Sequence, residues 1–270
     1  MNNVFSPKRF GKYLCYDLEN AWNNFGLALL ILGLLPAIVF VVAQLFHFIF
    51  NGQVMIESDA IMPMRITSGL VCVAVAVILF PIKAYGSVTD KRAGSSFLML
   101  PASAFEKWLS MMLVLCVIAP LCLCALYIGS DTLMGLIFPN SFGTAIIKIP
   151  YNEILSEVEL PEGMRINLTG IAWGNWISSI LFFLLGAIIF KKGKAGKTIL
   201  ALFALSIIFS SALSIAAGNM VGSEHFIINM FDDDPEVAIR KIINLGRVLL
   251  WLEVAILMGL SYLRLRTVKH

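Results

Sequence analysis

The residues whose types could do chemistry are few, and most of them fail on spacing. Lys194, Ala195, Gly196, Lys197 and Thr198 spell the end of a phosphate-binding loop. In such a loop glycine amides cradle a phosphate chain, the lysine pairs with it and the hydroxyl reaches its Mg²⁺. The full pattern needs a glycine five residues before Gly196, where this chain has Lys191, and a strand before it, where this chain has an apolar run. No ATPase site of its own is expected, and the basic turn KKGKAGK suits a surface of anionic lipid.

The three histidines, His47, His225 and His270, lie far from any second ligand. No HExxH spacing and no local Ser/His/Asp signature is present. The five cysteines, Cys15, Cys72, Cys116, Cys122 and Cys124, show no CxxC pair and read as small apolar fillers. Asp232, Asp233 and Asp234 lack the spaced acids and central glycine of a calcium loop. With Pro235 after them they read as a helix start, Asp234 capping. The expectation is therefore no enzyme, no metal and no cofactor. Glu253 is the one acid well inside an apolar run. A carboxylate there must face the other helices, pair, or sit near the interface, so it is either a shallow structural group or an intramembrane polar site. An intramembrane enzyme needs clustered polar residues, and Asn175, Ser178, Ser179 and Glu253 are too sparse for one.

The elements that would carry these residues follow from composition. Of the chain's 270 residues 59% are hydrophobic and only 14% charged, where a soluble domain carries about 25% charged residues. The sequence predicts an all-α integral membrane protein, a single transmembrane domain over residues 1–270 with six spans. The spans are placed at 25–50, 66–84, 108–128, 171–190, 198–217 and 248–265, with a tilt or kink at Pro36 in the first. Residues 1–24 interleave Lys8, Arg9 and Lys12 with aromatic residues, and Phe10, Tyr13, Leu14 and Leu18 share a helical face. That pattern predicts an amphipathic helix lying in the headgroup region. The portion IIKIPYNEIL of the long third connection is either a short strand or an interfacial turn.

An even number of spans puts both termini on one side, and charge chooses the side. The terminal segments, Lys83, residues 87–107 and 191–197 hold 14 of the 20 Lys and Arg, whereas the other three connections hold 12 of the 17 acids. Basic residues favour the cytoplasm, so the termini and residues 87–107 are expected there.

Residues 87–108, SVTDKRAGSSFLMLPASAFEKW, form a polar island between two spans. Ser103 and Glu106 make a capping box, in which the serine oxygen accepts the Glu106 amide and the glutamate returns to the serine amide. Pro101 disfavours helix at Leu100, so a short helix near 89–99 is expected to break sharply before the third span. An ordinary cytoplasmic connection with a well-capped third helix fits the same residues.

The run KRAGSSFLMLPASAFEKWLSMML resembles the cytoplasmic segment of ABC-2-type transporter permeases. In that family a charged, glycine-containing turn is followed by a hydrophobic LxxLP piece and the third span. The likeness covers the whole chain in architecture and about 20 residues in motif. It implies the transmembrane permease subunit of an exporter in the plasma (inner) membrane. Two permease subunits, alike or different, would work in the lipid bilayer with a separate ATP-binding cassette subunit, and no nucleic acid is involved. A coupling helix between spans two and three would meet the ATPase through Asp90, Lys91, Arg92, Phe97, Leu98 and Leu100. The connection between spans three and four is longer than in the family, and the family's outer re-entrant helices fall near residues 221–231. From a different class, a non-transporting membrane scaffold, sensor or assembly factor fits the same composition.

Overall fold

The computed structural model describes residues 5–52, 58–89, 94, 97, 99–143, 158–159, 165–166, 169–221 and 235–267. Asp90, Lys91, Arg92 and Leu98, the acidic run before Pro235 and the IIKIPYNEIL portion lie outside them.

Proline and glycine set the helix boundaries. Helix α1 spans Pro7–Gly33, with Ser6 as N-cap and Pro7 where a missing amide costs nothing. Helix α2 spans Leu35–Asn51, with a proline in its first turn. Pro36 cannot donate to the ladder of the preceding helix, and α1 and α2 meet at a bend of 48°. The residues expected to lie flat and the residues expected to span are thus continuous in α1. Gly52 closes α2 in the left-handed conformation at φ 67°, its amide donating to the Phe48 carbonyl at 3.0 Å.

Helix α3 spans Ser58–Tyr85 and runs into a 3-10 turn, Gly86–Thr89. Gly94, Phe97 and Met99 are helical, and bends at residues 100–102 separate them from the next long helix. That helix, α4, spans Ala104–Ile137. It widens to a π-helical turn at Val114–Ile118, directly ahead of Pro120, whose ring would otherwise press on the Cys116 carbonyl. A short helix α5, Pro139–Phe142, follows. Two-residue strands β1, Val158–Glu159, and β2, Arg165–Ile166, pair antiparallel, Val158 opposite Ile166. Helices α6 (Thr169–Ile189), α7 (Lys194–Val221) and α8 (Pro235–Thr267) complete the fold. Gly193, at φ 64°, makes the turn into α7.

The contacts gather into two compact units, residues 1–151 with 265–270, and residues 152–264. In the first, α1 packs on α3 and α4. Phe25 stacks on Phe80 at 4.8 Å, and Gly33 lets α4 in so closely that an added Cβ would lie 2.5 Å from Leu126 Cβ. In the second, α6 packs on α7, with Gly186 against Thr198, and Leu181, Leu184 and Ala187 fully buried. Gly174 gives Leu250 of α8 its seat.

Among the described residues four helical stretches are long and apolar enough to cross a membrane: Ile61–Thr89, Ala104–Ile137, Gly170–Ile189 and Ile243–Thr267. The bent pair of α1 and α2 makes five when counted as one crossing. Leu27, Phe50, Leu70 and Leu200 are each more than two-thirds exposed, which suits helices whose solvent is lipid. Among the described residues the protein is helical apart from one small hairpin, and these long apolar helices are those of a multi-pass membrane protein.

Candidate functional site

The capping box expected at the head of α4 is formed. Ser103 Oγ accepts the Glu106 amide at 3.2 Å, and the Ser103 amide donates to Glu106 Oε2 at 2.8 Å. The same carboxylate also ties down the start of α1. The Ser6 amide donates to Oε1 at 3.0 Å, Arg9 Nη2 to Oε1 at 2.8 Å, and Arg9 Nε to Oε2 at 2.8 Å. Glu106 is wholly buried while Arg9 keeps about a third of its side chain exposed, so a bidentate, charge-assisted pair closes the site from the solvent side. Phe5 adds an edge contact to Phe105 at 6.0 Å. The heads of α1 and α4, about 100 residues apart in sequence, are thereby one object.

Lys107, next in sequence and buried, reaches the other way. Its ammonium donates to the Phe97 carbonyl at 2.6 Å and sits 4.7 Å from the Phe97 ring centroid. The short helical piece before Pro101 is therefore pinned to the head of α4 by a lysine, not held by hydrophobic packing alone. Of the residues nominated from the sequence, Phe97 and Leu100 are half-buried beside α1 and the Gly86–Thr89 turn, lining a common cavity. Met99, which the sequence did not single out, is 81% exposed. Asp90, Lys91, Arg92 and Leu98 lie outside the described residues.

Two polar centres went unread in the sequence. Asp17, only 3% exposed, accepts from Tyr85 Oη at 2.8 Å and from Ser110 Oγ at 2.5 Å, joining α1, α3 and α4. It belongs to the buried column Tyr13, Asp17, Ala21 and Phe25. That column, and not Phe10, Leu14 and Leu18, is the inward face of α1; hydrophobic periodicity passes over a face that carries an acid. Arg65 and Asp131 form the second centre. Nε and Nη2 of Arg65 donate to the two carboxylate oxygens at 2.8 and 2.7 Å, and Nη1 donates to the Phe142 carbonyl at 3.1 Å. The guanidinium lies 4.2 Å from the Phe142 ring centroid, and both charged groups are buried. Drawing spans to begin at residue 66 and end at 128 left both in connecting loops; α3 and α4 extend past them.

Glu253 lies near the middle of the Ile243–Thr267 stretch. It is half-buried and accepts from Ser178 Oγ of α6 at 2.7 Å. A hydrogen bond between two apolar helices is sufficient use for one polar pair. A glutamine oxygen can accept the same bond, so Glu253→Gln is expected to melt within about 1 °C of the parent in detergent. A large loss of stability would show that the carboxylate itself, and not merely an acceptor oxygen, is needed between α6 and α8.

Among the described residues no group of three or more His, Cys, Asp or Glu could hold a metal ion. The chain matches no protein-family model, no curated protein and no solved structure.

Proposed function

We propose that the chain is the transmembrane permease subunit of an ABC-type exporter, driven by a separate ATP-binding subunit and paired with a second permease. The observation that carries this reading is the linkage between the segment before Pro101 and two long helices. Phe97 is fastened to Lys107, the adjacent Glu106 is fastened to Ser6 and Arg9, and the segment exposes Met99. A load applied to that segment reaches the heads of α1 and α4 together. Closure of nucleotide-bound ATPase subunits would act through differential contact with the segment and shift the bundle between inward and outward states.

The topology that accompanies this reading has six spans. It counts the bent pair as one crossing and adds α7, whose residues 198–217 carry no charged side chain. Both termini then lie in the cytoplasm of a plasma (inner) membrane with the basic segments. Replacement of residues 90–100 by a flexible Gly/Ser linker tests the assignment. Co-purification with an ATPase subunit and ATP-dependent flux are both expected to be lost while the protein still inserts and folds. Retention of both rejects the exporter reading. Retained partner binding with no ATP-dependent flux in the parent protein would make it a scaffold instead.

A further inference from the structure

A cavity of about 210 Å³ lies beside the Gly86–Thr89 turn, lined among others by Tyr13, Tyr16, Asp17 and Asn20 of α1, Tyr85 of α3, and Phe97. Tyr13, Asp17 and Tyr85 are buried in its wall, and Tyr16, about half exposed, stands at its mouth. The acid in this wall is incompletely matched. Its two hydrogen bonds come from the hydroxyls of Tyr85 and Ser110, both to Oδ2. Among the described residues no basic side chain pairs with it. A carboxylate held away from water needs a counter-charge or a proton, because neutral donors offset only part of its lost hydration.

The composition of the wall selects the kind of counter-charge. A bare divalent cation takes six or more oxygen ligands, often several carboxylates, and here there is one acid. Aromatic side chains line the same cavity instead: Tyr13, Tyr16, Tyr85 and Phe97. Aromatic faces around an anion are the surroundings that attract organic ammonium groups, and the Phe97 ring already has the Lys107 ammonium at 4.7 Å. The volume is below the ~300 Å³ at which pockets for drug-sized ligands begin, so the guest is small.

We propose that this cavity binds a small organic ammonium group, with Asp17 as its counter-charge and the tyrosine rings as its walls. The group can belong to a free amine or to a lipid headgroup; the recognition chemistry is the same. The assignment needs only the cavity and stands independently of the exporter reading. If both hold, a bound guest would brace Phe97 and Leu100, which line the same cavity.

The test uses the full-length protein purified in a maltoside detergent, free of choline headgroups. Choline and its neutral isostere 3,3-dimethylbutanol are titrated while thermal unfolding is followed. Choline is expected to raise the melting temperature saturably and the isostere is not. Asp17→Asn should weaken choline binding by about tenfold or more, the loss of one charge-assisted contact. Should that variant fail to fold, Tyr16→Ala at the exposed mouth is expected to weaken choline binding in a protein whose core is untouched. A second arm places the protein in nanodiscs of phosphatidylglycerol with or without phosphatidylcholine. Stabilisation by phosphatidylcholine but not by free choline identifies a headgroup, and the reverse identifies a soluble amine; either supports the site. Equal effects of choline and its isostere, together with equal melting in the two lipid mixtures, overturn it.

Discussion

Asp131→Leu is expected to cost about 3–5 kcal/mol of stability, because it leaves the Arg65 guanidinium buried against a partner that no longer exists. Arg65→Met takes the guanidinium from the buried Asp131 carboxylate and should cost a similar amount. Most of this is not the attraction between the two ions. It is the penalty of taking away one charge of a buried pair in a low-dielectric site, where neutral groups such as the Phe142 carbonyl and ring offset a charge less well than a carboxylate does. The double variant Arg65→Met/Asp131→Leu removes both charges and keeps the volume, so it should recover most of the loss. Thermal unfolding of the four proteins in detergent gives the cycle directly. If the single variants melt like the parent, the pair is not buried as described. If the double variant is as unstable as the singles, the effect is one of packing rather than charge.

Glu106→Ala is expected to release the first turns of α1 from the head of α4. The Ser6 and Ser103 amides and Arg9 all donate to the carboxylate, and each amide hydrogen bond to this charged group contributes about 1.5–3 kcal/mol. Arg9 is partly exposed, so its share is reduced by solvent. A total near 3 kcal/mol corresponds to about a hundredfold rise in local opening. Amide hydrogen exchange reads that rise in residues 10–14, whose amides α1 protects. Glu106→Gln keeps one acceptor oxygen for the cap but loses the bidentate pair, and should fall between. Exchange confined to the head of α4, with α1 unchanged, would show that the two helix starts are held together by something else.

Much of the architecture was legible because it is written locally. Apolar runs marked the membrane helices, Pro101 marked the break before α4, and Ser103 with Glu106 marked its first turn. What escaped was anything shared between distant segments. The capping box could be read from four consecutive residues, but its third partner, Arg9, is 97 residues away. Asp17 meets Tyr85 and Ser110 across 68 and 93 residues. Arg65 and Asp131 are 66 apart, and the apolar windows end just short of each. A lone charge near the end of a hydrophobic run carries no address for its partner, and buried pairing is a property of the packed helices. The helix break at Pro36 was legible; the continuity of α1 across the expected interfacial boundary near residue 24 was not, since a change of solvent along a helix leaves its hydrogen bonds intact.

The central claim is that the segment before Pro101, which bears the exposed Met99, meets a separate ATPase. A photo-crosslinking residue at position 99, the most exposed large hydrophobic side chain among the described residues, tests it in intact membranes, with the same residue at the exposed position 121 of α4 as control. The account expects one protein adduct at position 99, identified by mass spectrometry as an ATP-binding subunit, with a yield that changes when nucleotide is bound, and no such adduct at position 121. Adducts with lipid alone at both positions, or with a protein that neither binds nor hydrolyses ATP, would contradict it.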